Sequence, residues 1–429
     1  MGTLVRRFWA TKPTGIDLPR REVASWPYEA YVPDRLATRA FVLSGEPAAD
    51  VADATAAAAR FDARTSALTN AEALARLLLL GESLGSSQIE GLEVSPLRLL
   101  QADFDRAIGV PGRDTIALEV LANVDAMTYA VEHARERFTP AGICAVHRRL
   151  LEPTHARAHA GVVRTEQNWI GGSEFNPLNA AFIPPPPEYV PELLEDLCDF
   201  CNADNLPAIA QAAIAHAQFE TIHPFADGNG RTGRALIHMI LQRRGLARVT
   251  APISLVLATC SKEYIFRLAA TRVVGEPTSL AEDEGLDRWI GFFATAITRA
   301  VADAEGFSKT IAELQAAWVE RLAASRSHSA ARALIERLLE TPLLTVQGAA
   351  AMLKRSIPAA NQAVGKLVDA GILWPTSDRG RNRVFEAREV IDAFTVLESR
   401  LASPRGDTQI APPARRAPGR PRRRSSTNE

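Results

Sequence analysis

The sequence predicts a mostly α-helical protein: a helical core carrying a β-hairpin flap, followed by a C-terminal winged helix-turn-helix. Three observations predict it. Alanine- and leucine-rich stretches repeat their apolar residues at helical spacing and leave very little strand-like sequence before about residue 370. One internal stretch breaks that texture with Gly171-Gly172 and the run Pro184 to Pro187. It cannot be helix interior, because proline lacks the amide donor and clashes with the preceding turn. Beyond Ser325, three short helical runs lead into a hairpin pattern.

In chain order, residues 1–45 are punctuated by proline and tryptophan and show few helical runs. Residues 46–160 read as successive helices, and the flap candidate follows as RTEQNWIGG and AAFIPPPPEYV. Helix resumes at PELLEDLCDFCNA and LPAIAQAAIAHAQFETIH, pauses at PFADGNG, and continues as RTGRALIHMILQRRG. In the second unit, SHSAARALIERLLE, TVQGAAAMLKR and SIPAANQAVGKLVDAG are helices, the last two joined tightly at Lys354–Ser356 with Ser356 as N-cap. ILWPTSDRGRNRVFEA is a hairpin whose turn carries Asp378, Arg379 and Gly380. The expected division is an N-terminal region at 1–94, a core at 95–310, a winged helix at 325–398 and a disordered tail at 402–429.

Composition narrows the class. The 429 residues are 47% hydrophobic and 23% charged, an ordinary globular balance that excludes a disordered or collagen-like chain. The net charge of -1 gives the whole molecule no bias toward polyanions. Residues 402–429, however, hold seven arginines against two acids and carry +5, leaving the rest at -6. Four cysteines are too few for a secreted disulfide scaffold of this length. Neither a signal-type apolar segment nor a run of about 18 apolar residues is present. The expectation is a soluble, cytoplasmic chain without a membrane partner.

The chemistry concentrates in His223-Pro224-Phe225-Ala226-Asp227-Gly228-Asn229-Gly230-Arg231-Thr232-Gly233-Arg234. Glycines flanking Asn229 let the backbone approach a ligand, and the chain then enters a helix whose first amides are unpaired. That is an anion cradle at the positive end of a helix dipole. Arg231 and Arg234 project from one side of the first turn, with guanidinium forks suited to phosphate oxygens. Asp227 among phosphates calls for a bridging divalent cation, and Mg²⁺ held by one carboxylate plus substrate phosphates meets that need. His223 supplies a base near neutral pH. Together these point to phosphoryl or nucleotidyl transfer. Other readings of the same letters are a dinucleotide fingerprint, which lacks the preceding strand and following acid, and a metal site of His216, His223 and Asp227. A solvated Gly-Asn turn with surface arginines is the plainest of them. A P-loop is excluded because its lysine is absent.

HPFADGNGRTGR fills every fixed position of H-x-F-x-[DE]-G-N-G-R-x-x-R and so resembles the Fic family motif. RTEQNWIGG with AAFIPPPPEYV is similar to that family's flap, which aligns the target segment. The resemblance implies a Fic-type helical core that transfers AMP from ATP to a Ser, Thr or Tyr hydroxyl of a target protein. His223 is then the base and Asp227 the Mg²⁺ ligand. Asn229, with the amides around Gly228 and Gly230, stabilises charge on the α-phosphate, and Arg231 and Arg234 grip the outer phosphates. Phe225 plugs into the core. Upstream, Ser86-Ser87-Gln88-Ile89-Glu90-Gly91 resembles the family's inhibitory pattern [ST]-x-x-x-E-[GN], on a helix expected at about 81–92. There Glu90 pairs with Arg234 and competes with the γ-phosphate. The alternative is a solvated Glu90 before a glycine C-cap. Two further readings stay open: AMP removal by the same site, and a DNA-bound regulator whose Fic site senses nucleotide.

Of the remaining candidates, Cys198 and Cys201 read as buried helix cysteines, and His216 as a packing residue. His133, His147, His155, His159, His238 and His328 receive no role. In the winged unit, Asn361, Gln362 and Lys366 are placed to meet bases or phosphates, and Arg379, Arg381 and Arg383 to meet backbone. Protein docking or dimer contact by this unit is an equal expectation. Pro418–Arg424 resembles an AT-hook core, and any arginine-rich tail attracts DNA through counterion release.

Overall fold

The computed structural model describes residues 2–10, 25–43, 45–66, 68, 71–173, 175–246, 248–275, 280–323, 329–376 and 383–401. The helical expectation holds for the body. The N-terminal segment differs: strands β1 (Gly2–Trp9) and β2 (Trp26–Pro33) pair antiparallel from Gly2–Pro33 to Trp9–Trp26. The period-2 signal there is masked by charged residues and prolines. Val5, Arg7 and Trp9 turn to the half-buried face, while Leu4, Arg6 and Phe8 are exposed. This pair leans on the stretches around Trp169, Ile183 and Val273. Tyr31 N donates to Ile183 O at 3.0 Å, Gly2 N donates to Val273 O at 3.0 Å, and Trp9 meets Trp169 edge-on at 5.1 Å.

The body comprises α1 (Gly45–Thr65), α2 (Ala71–Ile89), α3 (Pro96–Ala107), α4 (Thr115–Glu132), α5 (Pro140–Leu151), α6 (Val190–Asn202), α7 (Ala208–Ile222), α8 (Asn229–Arg243), α9 (Ile253–Thr259), α10 (Ser261–Ala269) and α11 (Leu280–Ala323). Helix α7 is its axis. Every residue from Ala208 to Ile222 is buried, which fits a sequence apolar all round rather than on one stripe. It packs on α6, α8 and α11, and the indole of Trp289 on α11 donates to Ala213 O at 2.8 Å.

Helix α2 begins ten residues before the expected 81 and ends at Ile89, with Glu90 on the turn after it. Gly91 closes that turn at φ 81°, and Leu92 N bonds back to Ser87 O. The run Gly81–Ser87 is wholly buried. Its anchor is Glu82, whose carboxylate accepts from Ser254 N at 2.7 Å and from the Ser254 hydroxyl, and lies 2.8 Å from His238 Nε2 on α8. One carboxylate therefore ties α2 to α8 and α9.

The last unit holds α12 (Ser329–Leu338), β3 (Leu343–Thr345), α13 (Val346–Leu353), α14 (Ile357–Asp369), β4 (Trp374–Pro375), β5 (Val384–Glu386) and α15 (Arg388–Leu401), with sheet order β3-β5-β4. Lys354 turns α13 into α14 at φ 50°. Ser356 stands at the N-cap but makes no side-chain capping bond. Asp378, Arg379, Gly380 and Arg381 lie outside the described residues, as does the arginine-rich tail. Helix α15 returns to the body: Glu389 accepts from Arg321 and Trp318 of α11, and Phe394 packs against Gly81 of α2.

Glu82→Ala would leave Ser254 N–H, its hydroxyl and His238 without their buried partner. The expected loss is about 3–5 kcal/mol of stability, read as a lower denaturant midpoint at unchanged slope. A loss under about 1 kcal/mol would mean that Glu82 does not anchor α2.

Candidate functional site

The site forms where α7 stops and α8 starts. His223 caps α7 in the left-handed region at φ 49° and ψ 62°, a position that usually belongs to glycine. Holding a β-substituted residue there costs on the order of 1 kcal/mol and needs support from its surroundings. The support comes from residues 164–168, because Arg164 Nε donates to His223 O at 2.8 Å and Asn168 Nδ2 donates to the same oxygen at 3.3 Å.

The next residues form a loop bonded to itself. Asn229 Oδ1 accepts from Phe225 N at 2.9 Å and its Nδ2 donates to Phe225 O at 2.8 Å. The amide expected to meet an α-phosphate is thus already stapling the loop, with one Nδ2 hydrogen left. Gly228 caps α8 at φ 73°, and the first helical bond runs from Thr232 N to Gly228 O, so the amides of residues 229–231 open toward the loop mouth. Phe225 is fully buried, as expected. Asp227 is exposed at the mouth, and its Oδ1 accepts from Gly228 N at 2.6 Å.

Behind the loop stands His147 on α5, which the sequence reading left without a role. Gly161 N donates to its Nδ1 at 3.0 Å, so its proton is on Nε2, which bonds Asp227 O at 2.8 Å. Its ring stacks on Phe225 at 3.7 Å between centroids and 6° between planes. Burial pushes its pKa down to about 4, so it stays neutral at neutral pH. Nothing local marks it, because its hydrogen-bond acceptor lies 80 positions along the chain. A histidine between Val146 and Leu150 on a buried face is the one available signal.

The two motif arginines differ. Arg231 is 6% exposed, and its Nε and Nη1 are buried with no hydrogen-bond partner among the described residues. Burial lowers its pKa, with Asp227 and Glu90 acting in the other direction. Arg234 is 1% exposed and well satisfied: Nε donates to Ser86 Oγ at 2.9 Å, and Nη2 to Ser86 O at 2.8 Å and Glu90 Oε1 at 2.7 Å. Burial works against its charge, but Glu90 and the nearby Tyr264 and Glu220 more than offset this and raise its pKa. The Glu90 carboxylate also lies so close to α8 that a Cβ on Gly230 would fall 2.0 Å from Oε1. Only glycine admits it there. Glu90 pairs with Arg234 while its side chain stays 38% exposed, and Gly91 closes the turn after it.

The His223 ring is 20% exposed with Nδ1 buried, 3.9 Å from Glu220 Oε2. Burial, then Arg272 and Arg164, lowers its pKa to about 4, leaving a neutral imidazole. Glu220, which the sequence reading passed over, is raised to about 7 by burial despite Arg234. His216 does not join His223 and Asp227: its Nε2 bonds the Tyr264 hydroxyl at 2.7 Å within the core. Among the described residues no group of three or more His, Cys, Asp or Glu stands together as a metal cage. A cation held by one carboxylate and a ligand's own phosphates needs no such cage, and exposed Asp227 fits that arrangement.

Where a hairpin flap is expected, the described residues form an isolated antiparallel bridge, Ile170–Phe182, with Ile170 N to Phe182 O at 2.9 Å, and Gly171 and Gly172 both take positive φ. Cys198 and Cys201 are buried, and burial pushes the Cys198 thiol up to about 12.

Comparison with known proteins agrees with this geometry. The Fic/DOC family profile matches residues 137–241, and the Fic/DOC family N-terminal profile matches residues 48–132. Protein adenylyltransferase fic-1 of Caenorhabditis elegans is 32% identical over 157 residues, 36% of this chain and 29% of its own. Protein adenylyltransferase Fic of Nematostella vectensis is 31% identical over 171 residues, 38% of each. The chain therefore spans less than two fifths of either relative. A solved Fic family protein from Desulfovibrio desulfuricans G20 superposes with TM-score 0.52 at 22% identity over 81% of this chain and 97% of its own, a likeness of fold. Residues 48–241 thus carry the two Fic/DOC family segments in order, with the motif's loop, histidine and arginines brought to one mouth.

Proposed function

We propose that this site transfers AMP from ATP to a protein hydroxyl and that Glu90 restrains it. One observation carries the reading most of the way: Arg231, a buried guanidinium with unpartnered nitrogens, in the first turn of a helix. Such a cradle is built for a polyanion. The relatives named adenylyltransferases support ATP as that polyanion.

His223 takes the proton of the target hydroxyl, with Nε2 as the acceptor since Nδ1 is buried. The hydroxyl oxygen then bonds to the α-phosphorus as the bond to the bridging oxygen breaks. Pyrophosphate leaves with the electron pair, and AMP remains on the protein. Arg231 and the amides of residues 229–231 hold the triphosphate. Asp227 would hold Mg²⁺, which neutralises phosphate charge when bound. The 164–172 and 180–190 legs serve as a hairpin flap that aligns the target. Ser86 and Gly91 serve the restraint by fixing Arg234 and by turning the chain so that Glu90 faces it. A γ-phosphate and the Glu90 carboxylate compete for one guanidinium, and losing one charge-assisted contact is worth about 1.5–3 kcal/mol, one to two decades of binding.

A second reading attaches to the last unit. Its order of three helices and a β3-β5-β4 sheet supports a winged helix. Lys354, Arg355, Asn361 and Gln362 are all exposed at the start of α14, a composition suited to duplex DNA. The full chain should then shift duplex DNA with an affinity that falls steeply with salt, and binding indifferent to salt would remove this reading.

For the catalytic reading, α-phosphate label from ATP is followed onto proteins of a host lysate with Mg²⁺ present. Glu90→Gly should raise labelling about 10–100-fold over wild type, and adding His223→Ala should abolish it. The low pKa of His223 predicts that protonation of this ring does not cut labelling as pH falls from 8 to 6, so a change in that window would report Glu220 and should vanish in Glu220→Gln. Absence of label in every sample would contradict transfer, and pre-AMPylated protein would then test removal.

A further inference from the structure

Arg164 stands at the foot of the flap and is 6% exposed. Its backbone N donates to Pro224 O at 2.9 Å. Its Nε donates to His223 O at 2.8 Å, its Nη2 to Pro185 O at 2.6 Å and Ile222 O at 3.3 Å, and its Nη1 to Glu166 O at 3.1 Å. Every one of these acceptors is a main-chain carbonyl. The carboxylate acting on it is Glu188, at longer range with Tyr28, and burial lowers its pKa to about 10.

Burying a guanidinium without a bonded anion is expensive, and an apolar residue would fill the space at less cost. The planar fork does something an apolar residue cannot, because it fixes carbonyls from separate stretches at set angles. Those stretches are the first flap leg at residue 166, the second at residue 185, and the turn at 222–223. That turn holds His223 at φ 49°, the strained conformation that presents its ring. Asn168, also on the first leg, donates to His223 O and to Phe225 O at 3.0 Å. Among the described residues neither side chain bonds to residues 228–234, where phosphates would sit.

We propose that Arg164 is a positioning residue that makes the flap and the His223 turn one block, so that a target segment lying on the flap meets the base at a fixed distance. The proposal rests on the AMP-transfer reading for its purpose, though the coupling itself does not depend on it. It separates two properties that a general structural role would move together: alignment of the acceptor, and binding of the nucleotide.

Hydrogen exchange on the full chain tests the coupling directly, comparing wild type with Arg164→Lys and with Asn168→Ala, which removes two carbonyl bonds without disturbing the buried charge. Exchange in residues 164–173, 180–183 and 222–226 should rise together, about tenfold for Arg164→Lys and about threefold for Asn168→Ala. Amides of α8 should keep their protection, and Mg·ATP affinity should stay within about twofold. In the Glu90→Gly background, labelling of lysate proteins should drop about tenfold for Arg164→Lys while hydrolysis of ATP to AMP by water persists. A turn at 222–226 that stays protected would overturn the coupling, as would exchange rising equally throughout the body. If Glu90→Gly alone labels nothing, the transfer reading fails while the exchange pattern still decides the coupling.

Discussion

Arg234 is buried to 1% exposure and carries a charge that cannot be given up, so the structure around it must supply an anion or leave several kcal/mol unanswered. That constraint organises the site. The anion at hand is Glu90, delivered by the last turn of α2, and Ser86 supplies two further acceptors from the same helix. Any polyanion that enters the cradle meets a guanidinium already satisfied by a carboxylate of like sign. Restraint and substrate binding, on this reading, are two solutions to one electrostatic demand. The rigid seating of α2 through Glu82, Ser254 and His238 keeps Glu90 in place without requiring a tight pair at its own exposed end.

The loop at 225–229 is likewise held from behind as well as by its own side chains. Asn229 pins Phe225, and His147 stacks on that ring and holds the carbonyl of Asp227. These contacts leave the exposed side of the loop free to present the Asp227 carboxylate and the amides of α8. The fully buried α7 provides the fixed end from which His223 turns. Strain at that turn persists because Arg164 and Asn168 bond its carbonyls.

The segment His223–Arg234 was legible in the sequence because its constraints are local: a base, a close-approach glycine, a helix start and two arginines one turn apart. Glu90 was legible through its six-residue pattern, although its partner is 144 positions away. His147, Arg164 and Glu220 were not, since each acts through main-chain or side-chain groups that only the fold brings near. A carbonyl as partner leaves no mark in the letters. The β1–β2 pair is not legible because arginines and prolines blur its alternation, and its backbone bonds to Ile183 and Val273 lie far along the chain. The start of α2 at Ala71 is not legible because leucine-rich sequence continues on both sides of residue 81.

The central claim is that Glu90 and the terminal phosphate compete for Arg234, and the preference for ATP over ADP measures it most directly. Both nucleotides would be titrated with Mg²⁺ against wild type and Glu90→Gln, which keeps shape and removes charge. The account predicts near-equal affinities in wild type and ATP favoured by about tenfold in the variant, one charge-assisted contact regained. An ATP-to-ADP ratio that does not change between the two proteins would contradict it.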